Sequence, residues 1–237
     1  MKENVLVVGG SAGIGKSIVR ELSKSFSVSF SYNSSKDNAM KICKDLENVL
    51  CFRCDVTSME SVKNLEREYM SHFKKIDHLI YCTGIAEYKL FVDISESDWM
   101  KMIDTNLNGF YRALSVFSKH MLSCRKGSIV GISSVWGKVG ASMESHYSTS
   151  KAGMIGLVKS LAKEFSLSNV RVNCVCPGAI QTKMLDGLSP SDLKTLKTEI
   201  PLGRIGTPLD VTKSVSYLLS SDYITGECLS VDGGLGL

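Results

Sequence analysis

Tyr147 and Lys151 stand four apart in His146-Tyr147-Ser148-Thr149-Ser150-Lys151, at the opening of a helical segment that runs to about Leu167. That spacing puts both side chains on one helix face, one turn apart. A free tyrosine has a pKa of about 10 and is a poor acid-base catalyst at neutral pH. An ammonium ~4 Å away, at an effective dielectric of ~20, favours the phenolate by about 4 kcal/mol, roughly three pKa units. Such a neighbour brings the phenol towards its working range. Ser134 follows the apolar run Ser128-Ile129-Val130-Gly131-Ile132-Ser133 and can donate a hydrogen bond to a carbonyl. Asn106, in Asp104-Thr105-Asn106-Leu107-Asn108, is a middling helix former inside a helical stretch and can hold a water in a proton path. Each has an ordinary alternative. Many surface helices carry a Y-x-x-x-K pair, Asn106 fits an exposed helix position, and Ser134 fits a strand-end cap. Their joint occurrence, in this order and behind a glycine-rich loop, is what points to a site.

That loop, Val8-Gly9-Gly10-Ser11-Ala12-Gly13-Ile14-Gly15-Lys16-Ser17, joins the first strand to the first helix. In a parallel α/β sheet such a turn aims backbone N–H groups and a helix N-terminus at an anion, so phosphate binding is expected. Two readings compete. Gly10 through Ser17 satisfies G-x-x-x-x-G-K-[ST], with Lys16 and Ser17 placed for terminal phosphates and Mg²⁺, as in a nucleotide hydrolase. Gly9-x-x-x-Gly13-x-Gly15 is instead a dinucleotide-binding spacing. Alone, the loop leaves the two close to even. A hydrolase also needs a carboxylate ending an apolar strand, and only Asp55, after the mixed run Cys51-Phe52-Arg53-Cys54, is comparable. The dinucleotide reading predicts catalytic groups at the C-terminal ends of later strands, where Ser134 and Tyr147 fall.

The elements that position these groups form one repeating pattern. Short apolar runs at Val5 to Val8, Val28 to Tyr32, Val49 to Arg53, His78 to Cys82, Ser128 to Ile132, Val170 to Val175 and Cys228 to Val231 alternate with helical segments. Alternation of this kind means right-handed βαβ crossovers and an α/β fold: a doubly wound, seven-stranded parallel sheet with helices on both faces. No Pro-, Gly- or Ser-rich linker divides the chain, so residues 1–237 read as one domain. The late helix is signalled by Thr207 as N-cap, Pro208 in the first turn and Asp210 at N3.

Composition narrows the class. Of 237 residues, 43% are hydrophobic and 22% charged, which excludes a disordered chain. No apolar stretch approaches the ~20 residues of a membrane span, and the N-terminus lacks a signal-peptide pattern, so a cytoplasmic location is expected. Lys plus Arg total 28 against 24 Asp plus Glu, a net charge of +4. That excess suits acidic ligands but is too small and scattered for a nucleic-acid partner. The eight cysteines read as reduced thiols. Cys51 and Cys54 point to opposite strand faces; Cys174 and Cys176 share one, with no second ligand pair nearby, so no metal is expected.

Over essentially its whole length the chain resembles the short-chain dehydrogenases/reductases. Gly9, Gly13 and Gly15 match the family's cofactor loop, and Asn106, Ser134, Tyr147 and Lys151 its Asn-Ser-Tyr-Lys tetrad. Pro177-Gly178-Ala179-Ile180-Gln181-Thr182 is similar to the loop at the nicotinamide half, and Asp55-Val56 to the adenine-side motif. The resemblance implies a Rossmann-type fold. It implies a cofactor held by Gly9, Ser11, Ala12, Gly13, Ile14, Gly15, Tyr32, Asn33, Ser34, Asp55, Val56, Cys82, Thr83, Gly84, Tyr147, Lys151, Pro177, Gly178, Ile180 and Thr182. By the same resemblance Tyr147 protonates the carbonyl oxygen, Ser134 orients and polarises the carbonyl, Lys151 lowers the tyrosine pKa and binds the ribose, and Asn106 supports the proton relay. One departure stands out: the family's Asn-Asn-Ala-Gly is here Tyr81-Cys82-Thr83-Gly84, which loses the amides that brace the sheet. Altered local stability is expected, with the activity kept.

Leu202-Gly203-Arg204-Ile205-Gly206-Thr207-Pro208 and Tyr223-Ile224-Thr225-Gly226-Glu227 to Val231-Asp232-Gly233-Gly234 look like one branch, the bacterial 3-oxoacyl-[acyl-carrier-protein] reductases. That implies a 3-oxoacyl group on acyl carrier protein as substrate, in fatty acid or polyketide-type biosynthesis, and a homotetramer. A small ketone, a sugar or a steroid-like alcohol is the alternative substrate. NAD enzymes carry a carboxylate about 20 residues past the loop for the ribose 2′-hydroxyl. Here Ser31-Tyr32-Asn33-Ser34-Ser35-Lys36 contains none before Asp37, which favours NADP(H), with Asn33, Ser34 and Lys36 near the 2′-phosphate. Ser34 equally fits a helix cap. Ala179 to Ile200, with Met184, Leu185, Leu188 and Leu193, looks like a substrate lid whose apolar residues suit an acyl chain, or simple helix packing. Arg125 and Lys126 are the basic residues expected beside the site mouth for an acidic carrier.

Overall fold

The structure, a computed structural model, describes residues 2–187 and 189–237; the lid residue Leu188 lies outside them. Seven strands form the sheet: β1 (Asn4–Val8), β2 (Ser27–Tyr32), β3 (Leu50–Arg53), β4 (His78–Tyr81), β5 (Gly127–Ile132), β6 (Val170–Pro177) and β7 (Cys228–Val231). They lie in the order β3-β2-β1-β4-β5-β6-β7, every pair parallel. Each expected strand is found within two residues of its predicted ends. All of β1 and β4 is buried, as it must be when both sheet faces are covered and each strand is a continuous apolar run.

Successive strand residues alternate between two cores. Leu6, Val8, Leu79, Tyr81, Ile129 and Cys174 face one. There α3 (Met59–Phe73), α5 (Gly109–Cys124) and α7 (Ser145–Phe165) bury Leu65, Phe117 and Val158. Val5, Val7, Phe30, Ile80 and Val130 face the other, covered by α1 (Gly13–Leu22), α2 (Lys36–Asp45) and α9 (Pro208–Ser220) through Ile18, Ile42 and Val215. Cys54 and Cys51 fall in different cores, while Cys174 and Cys176 share one, their Sγ atoms 4.0 Å apart.

Three shorter helices complete the chain: α4 (Glu96–Ile103), α6 (Trp136–Val139) and α8 (Pro190–Glu199), the last in the lid. Between α4 and α5 the helical path widens into one π-turn, Asp104–Asn108. Asn106 therefore lies in a helical stretch as expected, but in the kind of turn that marks functional sites. At α9 the predicted cap is realised, with Thr207 and Asp210 bonding each other's backbone N–H. No helix among the described residues is long and apolar enough to cross a membrane.

Strand order reverses between β1 and β4. The connections leaving their C-terminal ends run to opposite sides, which opens a crevice there.

Candidate active site

Gly9 leaves β1 at φ +90°, a left-handed conformation that glycine adopts freely. A Cβ at that position would stand 2.5 Å from Thr83 Oγ1, so the loop after β1 and the loop after β4 touch only because the residue is glycine. Gly9 N donates to Ser31 Oγ at 3.2 Å and Gly10 N to Ser31 O at 3.0 Å, which ties the loop to β2. At the start of α1 the N-cap Ala12 offers no side-chain bond and the first turn has no acidic residue. By contrast α3, α4, α8 and α9 are capped by Ser58, Ser95, Ser189 and Thr207. No side chain caps the start of α1, which leaves the positive end of its dipole open to a pyrophosphate, while the Gly15 N–H is turned to the Cys82 thiol. Nucleotide hydrolysis is not supported by this geometry: Lys16 and Ser17 do not line the crevice, and Ser17 Oγ accepts from Thr212 Oγ1 of α9 at 2.9 Å.

The crevice opens into a cavity of about 1360 Å³. Of the residues expected around a dinucleotide, all but the buried Gly15 line it. They run from Gly9, Ser11 and Gly13, past Tyr32, Asn33 and Ser34, Asp55-Val56 and Cys82-Thr83-Gly84, to Pro177, Gly178, Ile180 and Thr182. Ser34 does not cap α2; that position falls to Ser35, whose side chain makes no cap bond. Lys36, the first residue of α2, is exposed and outside the lining. Asp55 Oδ1 accepts from Thr57 N and Oγ1, at 2.9 and 2.8 Å, in the turn that leads to α3.

Ser134, Tyr147 and Lys151 meet at the inner end of this cavity. Burial pushes the Tyr147 phenol up to about 12, against the neighbouring Ser134 hydroxyl, which favours the phenolate; the Glu144 carboxyl and Tyr88 push it further up. This corrects the sequence expectation that Lys151 lowers it. Lys151 Nζ lies 5.7 Å from the centre of the Tyr147 ring, over its face, and donates to Ile132 O at 2.9 Å. Desolvation therefore sets the direction at the phenol, and it also pulls the Lys151 ammonium down to about 8.

Asn106 is fully buried behind the cavity wall. Its Oδ1 accepts from Ile85 N at 2.8 Å, and its Nδ2 donates to Ile85 O and Ser150 Oγ at 3.0 Å each. The amide that sequence reasoning gave to a water is engaged on both ends by protein, so the side chain acts as a brace between the π-turn, the β4 loop and α7. It stays close to the reacting groups: a Cβ on Gly84 would stand 3.3 Å from both Asn106 Oδ1 and Lys151 Nζ. Tyr81 replaces the lost family amide with another tie, donating to Thr105 O in the π-turn at 2.9 Å.

Two expectations change. Arg125 ends α5 and Lys126 precedes β5, at the N-terminal edge of the sheet, whereas the cavity lies at the C-terminal edge. There Arg125 binds Leu167 O and Lys126 pairs with Glu3, so neither stands at the site mouth. The exposed cations that do line the cavity are Lys101 and Lys183. Sequence reasoning also missed Glu144 and Tyr88, both in the lining. Glu144 lies three residues before Tyr147, a spacing that could have flagged it.

The glycine cradle, the cavity at the strand-order reversal and the Ser-Tyr-Lys cluster define a dinucleotide-dependent oxidoreductase of the short-chain type, and comparison with known proteins bears this out. A family model described as enoyl-(acyl carrier protein) reductase matches residues 8–236. The 3-oxoacyl-[acyl-carrier-protein] reductase FabG of Chlamydia pneumoniae is 36% identical over 239 residues, 98% of this chain and 96% of its own. That of Staphylococcus aureus is 35% identical over 242 residues, 99% and 98% of the two chains. Among solved structures, gox2181 superposes with a TM-score of 0.94 at 30% identity, covering 99% of this chain and 95% of that one. ElxO with NADP bound gives 0.93 at 33% identity, covering 99% of both. The chain belongs to the short-chain dehydrogenase/reductase family. Curated relatives that match it over nearly their whole length carry the 3-oxoacyl-[acyl-carrier-protein] reductase name.

Proposed function

We propose that the protein reduces the ketone of a 3-oxoacyl thioester on acyl carrier protein to the 3-hydroxyacyl thioester, with NADPH as reductant, in fatty acid or polyketide-type biosynthesis. The observation that carries this is the Ser134–Tyr147 pair at the inner end of a crevice whose outer part is the glycine cradle. The FabG relatives and the NADP-bound neighbour support the substrate and the cofactor.

NADPH, when bound, supplies the reducing equivalent. The residues to hold it are the α1 N-terminus with Gly9, Ser11 and Gly13 for the pyrophosphate, and Asn33 and Ser34 for the 2′-phosphate. Asp55-Val56 serve the adenine side, and Pro177, Gly178, Ile180 and Thr182 the nicotinamide side. Ser134 donates to the substrate carbonyl oxygen and Tyr147 gives it the phenolic proton. A phenol held at about 12 still carries that proton at neutral pH, the state a reduction requires. Lys151, cationic below about 8, binds the ribose, while Asn106 braces the wall. Lys101 and Lys183 are the cations an acidic carrier would meet. A homotetramer belongs to the same reading.

The test is NADPH oxidation against acetoacetyl thioesters, simple ketones and sugars. Preferred turnover of the thioester is expected; turnover confined to a sugar or a steroid-like ketone would overturn the substrate.

A further inference from the structure

The part of the cavity beside Tyr147 is walled by two segments that meet edge to edge. One is the loop from β4 to α4, which carries Tyr88; the other is the turn before α7, which carries Glu144. They are tied by Lys89 N donating to Met143 O at 2.8 Å. Met143, at φ +61°, holds a left-handed conformation that costs a non-glycine residue energy, and such strain clusters at functional sites. Glu144 follows it. Only 4% exposed, it occupies the N-cap of α7, yet its side chain makes no cap bond. Its carboxyl lies beside the Tyr88 phenol instead, which favours the ionised form. Among the described residues no Lys, Arg or His lies within ion-pair distance of it. A buried carboxyl without a cation holds its proton: desolvation lifts Glu144 to about 7. Glu144 lines the cavity, so its protonated carboxyl can donate into it.

We propose that Glu144 is a specificity-determining residue, donating a hydrogen bond from its neutral carboxyl to a second acceptor oxygen beside the carbonyl under reduction. The site thereby selects 1,3-dicarbonyl compounds, such as 3-oxoacyl thioesters, over simple ketones. This rests on the carbonyl-reductase reading above. Glu144, the non-helical N-cap of α7, and Tyr147 in its first turn both line one cavity and present two donors to it, and a ketone and a thioester carbonyl separated by one carbon present two acceptors. Tyr88 faces Glu144 from the β4 loop and Tyr147 from its own helix. Lys101, Lys151, Lys183, Asp192 and Glu199 line the rest of the cavity. Lys151, at about 8, titrates in the adjoining range, so the comparison is between proteins that both retain it.

The experiment measures kcat/KM with NADPH for the N-acetylcysteamine thioester of acetoacetate and for a simple ketone, from about pH 5.5 to 9, spanning the raised Glu144 value. In the wild type the thioester-to-ketone ratio is expected to fall about tenfold or more as pH rises through about 7. Glu144→Gln, which keeps a neutral donor, holds the ratio high at every pH, and Glu144→Ala lowers it about tenfold throughout. Tyr88→Phe moves the fall to higher pH, because it removes the hydroxyl that favours the ionised carboxyl. An identical pH dependence of the ratio in wild type and Glu144→Gln, or an undiminished ratio in Glu144→Ala, would overturn the proposal and leave the reductase intact. Turnover of the ketone without the thioester would overturn the substrate class, and turnover of neither would overturn the carbonyl-reductase reading itself.

Discussion

Tyr147 keeps its proton at neutral pH because its ring is buried, so it can give a proton but only with help can it take one back. Tyr147→Phe removes the donor while keeping the ring that packs in the wall. Turnover should fall at least about 10³-fold, the scale of a lost general acid, while NADPH binding, followed by fluorescence titration, changes little. Full activity would sink the assigned chemistry. Glu144 makes a second prediction, about stability. Its carboxyl is raised in the folded protein to about 7 from an ordinary 4.5, so the folded state binds the extra proton between those values. Stability contributed by this group is therefore lost as pH climbs from about 4.5 through 7. Glu144→Gln should be more stable than wild type above pH 7, on the order of 1–2 kcal/mol. Urea unfolding at several pH values should show that advantage shrinking as pH falls towards 4.5 and vanishing below it, where the wild-type carboxyl is protonated in both states.

The π-turn Asp104–Asn108 is held from three sides. Tyr81 OH donates to Thr105 O, Arg112 Nη1 donates to Asp104 O and Val56 O at 3.3 and 3.1 Å, and Arg112 Nη2 pairs with Asp104 Oδ1 at 2.6 Å. A turn with wider hydrogen-bond spacing than an α-helix needs such ties, and Asn106 reaches Ile85 and Ser150 only while it is kept. The departure from the family's amide at Tyr81 thus relocates a brace. Tyr81→Phe removes this part-buried tie to the Thr105 carbonyl, which should cost about 1 kcal/mol in urea unfolding. Because the loosened turn carries Asn106, kcat should drop several-fold with the KM for NADPH nearly unchanged. A stability loss with an undisturbed kcat would show that the tie is purely structural.

The whole molecule creates the crevice by reversing its strand order between β1 and β4, so a ligand filling it would touch both halves of one sheet. Ligand that binds only the folded state stabilises it, by about 2.7 kcal/mol at a hundred times its Kd. For a chain of this size that corresponds to a rise in Tm of roughly 5–10 °C. NADPH should produce that shift at concentrations where NADH produces much less, since no carboxylate stands among Tyr32, Asn33 and Ser34 to repel a 2′-phosphate. Equal shifts with the two cofactors would refute the preference for NADPH.

The sequence by itself determined the strands, the capped start of α9, the glycine cradle and the Tyr147–Lys151 pairing. All of these rest on periods of two and 3.6 residues, on backbone freedom at glycine, and on contacts within one helical turn. Only the tertiary structure decided the rest. Arg125 and Lys126 lie at the wrong sheet edge because the end of a strand at which a residue sits relative to the cavity depends on topology. The phenol at Tyr147 is raised because desolvation depends on everything packed around it, whereas spacing reports only one neighbour. The Tyr88–Glu144 pair was invisible because its halves come from separate segments, brought side by side only when the loop after β4 folds against the turn before α7.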